Sequence, residues 1–303
     1  MRSSAIRLTP TPPAPGPIPQ GMAGTGPTQA RLPGGNLHLH HGPIDLVIRL
    51  EGDISEVQLA EAQAYAAFSP LLDSIVSELS TLKAQVSEPL PLASHPVAQA
   101  MVRAAWPYRD RFITPMAAVA GSVAQYVLSR AVEGRSLRRA FVNNGGDIAL
   151  WLSEGESLTL GVISRLDAPS VDTRVSVTST DRVCGIATSG WGGRSFSLGI
   201  ADAVTVFAMD APSADAAATV IANAVNVEHP GVKRVPANSI QPDTDLGDLP
   251  VTVGVDIEDR EALAQALDSG TREAARWVRE GTIRGAMLYL KGACRTVGWP
   301  GAI

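Results

Sequence analysis

The residues best suited to metal or phosphate chemistry lie in an alanine-rich stretch, residues 214–225. Asp215 and Thr219 are four positions apart, so they share one face if the stretch is helical. A carboxylate and a hydroxyl on one face can hold a hard cation such as Mg²⁺, which prefers oxygen ligands and leaves positions open for phosphate oxygens. The alternative is structural: Ser213 or Asp215 favours the helix N-terminus, and Thr219 is an incidental buried hydroxyl.

Two glycine-rich loops could bring backbone amides close to an anionic ligand. Residues 143–147 are Asn-Asn-Gly-Gly-Asp, between an apolar entry and a strand-like run, and residues 188–194 are Thr-Ser-Gly-Trp-Gly-Gly-Arg. Glycine amides can approach phosphates because no Cβ stands in the way. The alternative for the first loop is an Asn-Gly type turn that joins two strands.

The elements that must position these residues follow a mixed α and β order. Hydrophobic periodicity and turn signals predict two opening strands, a helical region interrupted at Pro70, a helix that begins at Thr114-Pro115, several further strands, a long helix and a final hairpin that turns at Lys291-Gly292. Residues 231–248 are predicted to be irregular. The strands occur in runs more often than in strict βαβ alternation. We therefore predict an α/β protein of the mixed, α+β kind.

Composition bounds the chain's organisation and its partners. The first 34 of 303 residues contain no acidic residue and are rich in Pro and Gly, so we predict a disordered tail at 1–34 and a folded domain at 35–303. A net charge of -5 argues against nucleic acid as the main partner. Two cysteines far apart favour a reducing compartment, and no apolar run approaches the length of a membrane span. These features together predict a cytoplasmic protein.

Five motifs in order carry a resemblance to a known family: PMAAVAGSVAQY, FVNNGGDIAL, IATSG, ADAVTVFA and SADAAATVIANAV. Together they resemble the ApbE superfamily, whose best-known members are FAD:protein FMN transferases. The stretches HLHHGPIDLVIRLEG and TPMAAVAG, with the C-terminal hairpin, look most like an uncharacterised ApbE-like family of bacteria and archaea. The resemblance covers residues 38–297. It implies sheets flanked by helices around a central nucleotide cleft, with FAD as ligand or substrate.

The resemblance also implies roles for individual residues. Mg²⁺ would be held by Asp215, Thr219 and the backbone carbonyl of Ala120. The loop that contacts the nucleotide would comprise Asn143, Gly145, Gly146 and Asp147, and a second loop would comprise Thr188, Ser189 and Gly190.

The chain departs from the transferase pattern at two places. Gly121 stands where the transferases usually carry a lysine, and residues 194–202 contain no counterpart of their His-Ile-x-Asp-Pro stretch. In that neighbourhood Asp202 could supply a catalytic carboxylate, and Arg194 could meet an anionic group.

Three hypotheses follow from these matches and departures. The first is a flavin-nucleotide enzyme that cleaves or transfers at a phosphoanhydride, with an acceptor protein as a candidate partner. The second is a non-catalytic flavin or small-molecule binding protein, and the third is an enzyme that acts on an unrelated anionic substrate. The sequence leaves open whether the chain forms a homo-oligomer.

Overall fold

The computed structural model describes residues 26–165 and 171–299. Within them the strands are β1 Thr28–Arg31, β2 Leu37–His41, β3 Ile44–Gly52, β4 Leu137–Asn144, β5 Asp147–Leu152, β6 Ser157–Ile163, β7 Val171–Thr178, β8 Gly185–Ser189, β9 Ala203–Ala208, β10 Val232–Pro236, β11 Pro250–Val255, β12 Gly285–Leu290 and β13 Ala293–Gly298. The α-helices are α1 Ile54–Phe68, α2 Leu71–Val76, α3 Leu79–Leu82, α4 Pro96–Ala105, α5 Val119–Val132, α6 Ala211–Ala224, α7 Ala237–Ile240 and α8 Arg260–Arg279. The predicted mixture of α and β structure is confirmed.

A nine-stranded sheet organises the described chain, in the order β1-β2-β3-β4-β5-β8-β9-β12-β13. The strand pairs in this sheet are antiparallel, which agrees with the predicted runs of strands rather than βαβ units. In β3, Ile44, Leu46 and Ile48 are buried and alternate with more exposed residues. In β9 and β12 every residue is buried, because both faces of the central strands are covered.

Helices cover one face of the large sheet and a hairpin covers the other. Apolar residues of α1, α4 and α5 pack on β2–β5, and those of α6 and α8 pack on β8, β9 and β12. On the opposite face, β6 and β7 form a separate two-stranded sheet whose buried residues, among them Leu158 and Leu160, pack against Phe141 and Leu150. The two glycine-rich loops, residues 143–147 and 188–194, both join neighbouring strands of the large sheet: β4 to β5 and β8 to β9.

Small residues let α5 and α6 approach very closely. A Cβ on Gly121 would lie 2.4 Å from the carbonyl oxygen of Ala211 and 3.0 Å from the Cβ of Asp215. Because the nearest obstacle is backbone, it could not move aside without separating the two helices. This contact excludes a lysine at position 121 in the present packing and brings the start of α5 against the first turns of α6.

Several expectations differ from the structure. Thr28–Arg31 form an edge strand within the predicted tail; its residues are exposed, and it is held by pairing with β2 and by an ion pair from Arg31 to Glu61 rather than by a core. Residues 1–25 of that tail lie outside the described residues. The region 231–248 is not irregular throughout, because β10 and α7 lie in it. The break predicted at Pro70 is present between α1 and α2, but the helical region after it is divided further, into α2 and α3.

The capping of α6 also differs from the expected structural alternative. The helix begins at Ala211, and its N-cap is Asp210, whose carboxylate accepts a hydrogen bond from the Ser213 N–H at 2.8 Å. Neither Ser213 nor Asp215 is therefore the cap of this helix.

In the part of the chain that the structure describes, no helix is both long and apolar enough to cross a bilayer.

Candidate functional site

A cavity of about 300 Å³ lies where the start of α5, the start of β5, the loop after β8 and one face of α6 meet. A segment after α7 borders it, residues 241–246. Five of the residues singled out from the sequence line it: Ala120, Asp147, Arg194, Asp215 and Thr219. The structure therefore brings together the ends of segments that are far apart in the chain.

Asp215 reaches from α6 to the start of α5. Its Oδ2 accepts a hydrogen bond from the Gly121 N–H at 2.8 Å, and Ala118, the N-cap residue of α5, makes no side-chain cap bond. Asp215 consequently satisfies an N–H group that the first turn of α5 leaves without a partner. Thr219 follows one turn later on α6 and also lines the cavity, so the two side chains share a face as the spacing predicts.

Asp147 begins β5 directly after the glycine turn. Its Oδ1 accepts a hydrogen bond from the Thr188 N–H at 3.2 Å. Burial raises the pKa of Asp147 to about 7, although the Thr188 N–H and the positive charge of Arg194 oppose the shift. Burial and the charge of Asp147 raise the pKa of Asp215 well above its ordinary value, against the N–H groups of Gly121 and Ala120. The cavity thus contains two interacting acidic groups.

Arg194 lies across the turn between β4 and β5. A Cβ on Gly145 would fall 2.0 Å from the Nη2 of Arg194, so the guanidinium occupies the space that a side chain would need. Gly145 and Gly146 both have positive φ, 67° and 117°, and the Gly146 N–H donates to the Oδ1 of Asn143 at 2.8 Å. The sequence favoured a close ligand over turn geometry as the reason for the two glycines, whereas in the structure their positive φ and the approach of Arg194 account for them.

Ala120 is the least available member of the predicted cation set. Its carbonyl oxygen accepts a hydrogen bond from the Asn144 Nδ2 at 3.2 Å, and as part of the first turn of α5 it also takes part in the i→i−4 hydrogen bonding of the helix. Binding a cation there would require this oxygen to give up one of these partners.

The remaining predicted residues support the cavity from outside or lie elsewhere. Asn143, Gly145 and Gly146 shape the turn, Thr188 orients Asp147, and neither Ser189 nor Gly190 lines the cavity.

Asp202 is also absent from the residues that line the cavity. Its carboxylate accepts hydrogen bonds from the Lys291 N–H at 2.5 Å and the Trp191 Nε1–H at 3.3 Å, so it fastens the C-terminal hairpin. This placement goes against the catalytic role predicted for Asp202.

Sequence reasoning missed the segment after α7 that borders the cavity, residues 241–246. The Nζ of Lys83 donates to the carbonyl oxygen of Asp243 at 2.5 Å, and the Thr114 hydroxyl donates to the carboxylate of Asp245. Nothing in the local sequence connects these residues, which lie more than one hundred positions apart. Asn223 was also missed, although its position eight residues after Asp215 on one helix was a usable signal.

The donor set of the cavity suits a hard divalent cation. Asp147, Asp215 and Thr219 offer carboxylate and hydroxyl oxygens, the ligand type that Mg²⁺ prefers. A positive charge beside two carboxyl groups would also relieve the repulsion that raises the pKa of Asp215. Among the described residues no group of three or more His, Cys, Asp or Glu side chains could hold a metal ion, so such a site needs the hydroxyl, a carbonyl or ligand oxygens as well.

The fold and the cavity define a mixed α/β protein with an acidic site between two closely packed helices and a glycine turn. A model of the family described as "AbpE bacteria" matches residues 29–296. The chain belongs to this family, as its motifs indicate.

Comparison with individual proteins gives partial matches. A UPF0280 protein of Methanothermobacter thermautotrophicus is 37% identical over 142 residues, 46% of this chain and 52% of the relative. A UPF0280 protein of Methanopyrus kandleri is 41% identical over 135 residues, 44% of this chain and 51% of the relative. The chain therefore spans about half the length of the curated relatives it matches.

Among solved structures, the flavin transferase ApbE from Vibrio cholerae, in a variant form, matches with 11% identity and a TM-score of 0.47, covering 86% of this chain and 96% of that one. The flavinyl transferase ApbE of Pseudomonas stutzeri matches with 12% identity and a TM-score of 0.43, covering 91% and 96%.

Proposed function

We propose that this chain binds a nucleotide that contains a phosphoanhydride, with FAD as the first candidate, together with a divalent cation, and that it cleaves or transfers at that linkage. The observation that carries the proposal is the meeting of Asp147, Asp215 and Thr219 with Arg194 around one cavity. Oxygen ligands for a cation and a guanidinium for an anion are the two complements that a pyrophosphate requires.

The roles divide by chemistry. Asp215 and Thr219 would hold the cation, with Asp147 beside them, and a bound Mg²⁺ would neutralise charge on the phosphate oxygens. Arg194 would contact a phosphate oxygen, since it lines the same cavity and its guanidinium lies against Gly145. The first N–H groups of α5 do not form a free anion site, because Asp215 already accepts from them. We propose an acceptor protein and a second copy of this chain as its candidate partners.

Asp215→Asn is the variant that tests the cation role. The amide oxygen can still accept the Gly121 N–H, while the negative charge is lost, so the fold should be retained. We expect FAD binding in the presence of Mg²⁺ to weaken at least about tenfold, measured by calorimetry. AMP and FMN release, followed by chromatography, should fall in parallel.

Asp202→Asn is the matched control, because it removes the same charge outside the cavity lining. It should bind FAD like the unmodified chain. Equal binding by Asp215→Asn and the unmodified chain, or binding that a chelator leaves unchanged, would refute the cation role.

A second candidate is a binding protein without turnover. It is favoured by the packing at Gly121, which leaves no room for the lysine of the transferases, and by the absence of histidine among the described residues that line the cavity. Tight FAD binding with no AMP or FMN release over many hours would support this candidate. If neither FAD nor other dinucleotides bind, both candidates fail, and an unrelated anionic substrate becomes the remaining hypothesis.

A further inference from the structure

The pocket-facing side of α6 continues beyond the two residues assigned to the cation. Asp215, Thr219 and Asn223 are spaced by four residues, and all three line the cavity. With a rise of about 1.5 Å per residue, Asn223 lies about 6 Å along the helix axis beyond Thr219 and about 12 Å beyond Asp215. The proposed function leaves Asn223 without a role.

Hydrogen bonds from the neighbouring loop fix the orientation of the Asn223 amide. Its Oδ1 accepts the Leu198 N–H at 2.9 Å. A backbone N–H can only donate, so the amide atom that faces it must be the oxygen. The Ser197 hydroxyl lies 3.2 Å from the same oxygen and itself accepts the Gly199 N–H, which directs its hydrogen towards Asn223.

The same bonds leave the Asn223 amide nitrogen for the cavity. Within the described residues Nδ2 has no hydrogen-bond partner, and it is not among the fully enclosed atoms that lack one. Asn223 is half-buried, so this NH₂ group is rigidly held at a cavity wall with two donors available. A ligand that brings an acceptor to it gains a hydrogen bond, whereas a ligand without one leaves a desolvated donor unpaired.

The position of this donor indicates which part of a ligand it contacts. It lies about 12 Å along the axis of α6 from Asp215, and the lining also includes the apolar residues Phe196, Leu198 and Leu246. We propose that Asn223 is a specificity-determining residue whose Nδ2 donates a hydrogen bond to an acceptor on the base or sugar of the nucleotide. This inference rests on the proposed function.

Asn223→Asp is the informative variant. Aspartate has nearly the same shape, and its oxygens can accept the Leu198 N–H and the Ser197 hydroxyl, but it replaces the cavity-facing donor by an acceptor. The probes are FAD, ADP and inorganic pyrophosphate, each with Mg²⁺, because pyrophosphate has neither base nor sugar. The added charge should weaken all three probes, while the lost hydrogen bond should weaken only the two nucleotides.

We expect the Kd of FAD and ADP to rise at least about tenfold more than that of pyrophosphate, the size of one lost hydrogen bond in a site built for it. Ser195→Asp adds the same charge at an exposed cavity residue and should change the three probes by one common factor. The thermal midpoint of the ligand-free Asn223→Asp protein should be close to that of the unmodified chain. This measurement checks that the hydrogen bonds from the Ser197 hydroxyl and the Leu198 N–H persist.

Two outcomes overturn the inference, and they differ from failure of the proposed function. If Asn223→Asp leaves the Kd of all three probes unchanged, or raises the Kd of the nucleotides and of pyrophosphate by the same factor, Asn223 does not bind the base or sugar. If the unmodified chain binds none of the probes, the proposed function fails first and the inference fails with it.

Discussion

At the scale of single residues, the contact between Gly145 and Arg194 connects the glycine turn to the cavity. A glycine is required at position 145 for two reasons: the backbone has a positive φ there, and the absence of a Cβ leaves room for the guanidinium of Arg194. Gly134 offers a comparison: its φ of 68° is nearly the same, yet a Cβ added there would meet nothing within 4 Å. The two positions therefore separate backbone strain from displacement of Arg194.

Gly145→Ala and Gly134→Ala should each lower the free energy of unfolding by about 1–2 kcal/mol, the cost of a left-handed residue with a Cβ. The costs should be similar because the atom in conflict at Gly145 is the far end of a flexible side chain. Only Gly145→Ala should weaken binding of Mg²⁺ with FAD, since only this change moves Arg194. Chemical denaturation and calorimetry measure the two effects, and equal binding by both variants would contradict the role of Arg194.

At the scale of elements, a partly buried ion pair joins β3 to β4. Glu51 lies directly opposite Arg139 in the register, and hydrogen bonds of 2.8 Å connect it to the Nε of Arg49 and the Nε of Arg139. Burial alone would raise the pKa of Glu51, but the hydrogen bonds from the two arginines outweigh it and hold the pKa below its ordinary value.

This lowered pKa predicts how the stability contribution of Glu51 depends on pH. The contribution is present above the unfolded pKa, about 4.5 for a glutamate, and is lost as the pH falls through the folded value. Glu51→Gln should therefore lower the free energy of unfolding by about 1 kcal/mol at pH 7, after allowance for solvent screening, and by much less at pH 3.

Denaturant titrations at the two pH values measure this difference. Glu133→Gln is the control, because Glu133 pairs with Arg130 where both side chains are more than half exposed. It should change stability by a few tenths of a kcal/mol at most. A Glu51→Gln effect of the same size at pH 3 and pH 7 would contradict the assignment.

At the scale of the whole molecule, the nine-stranded sheet joins two helix-covered halves. One apolar cluster contains α6, α8 and the strands β8, β9 and β12, and another contains α1, α4, α5 and β2–β5. They meet where α5 packs on α6, next to the cavity. Strands of one sheet contribute to both clusters, and α5 of one cluster packs on α6 of the other. We therefore expect the described chain to unfold as one cooperative unit rather than as two independent domains.

Tryptophan fluorescence can test this cooperativity. Trp277 is buried in the first cluster and Trp151 packs against the second. Two variants, each retaining one of these tryptophans with the others changed to Phe, should unfold with coincident transitions when each is compared with its own circular dichroism signal. Separate transitions for the fluorescence and the circular dichroism would show that the halves unfold independently.

The sequence by itself determined which segments form strands and helices, and which of the site residues lie on the same helix face. Periodicities of two and of 3.6 residues located most strands and helices, and the i, i+4 spacing placed Asp215 and Thr219 on one face of α6, because these patterns depend only on local backbone geometry. The ordered motifs also placed the chain in its family, as the match over residues 29–296 bears out. The edge strand β1 escaped this reasoning, since its stability comes from pairing rather than from its own composition.

Only the tertiary structure decided which of these residues share a cavity. Asp147 and Arg194 lie beside Asp215 because β5 and the loop after β8 meet at the same end of the sheet. Asp202, close to Arg194 in sequence, instead binds Lys291 of the C-terminal hairpin and Trp191 of the loop after β8. The raised pKa of Asp147, about 7, likewise arises from burial that no local pattern encodes. Contacts across long sequence separations depend on strand order and helix packing, and these are properties of the whole chain rather than of any segment.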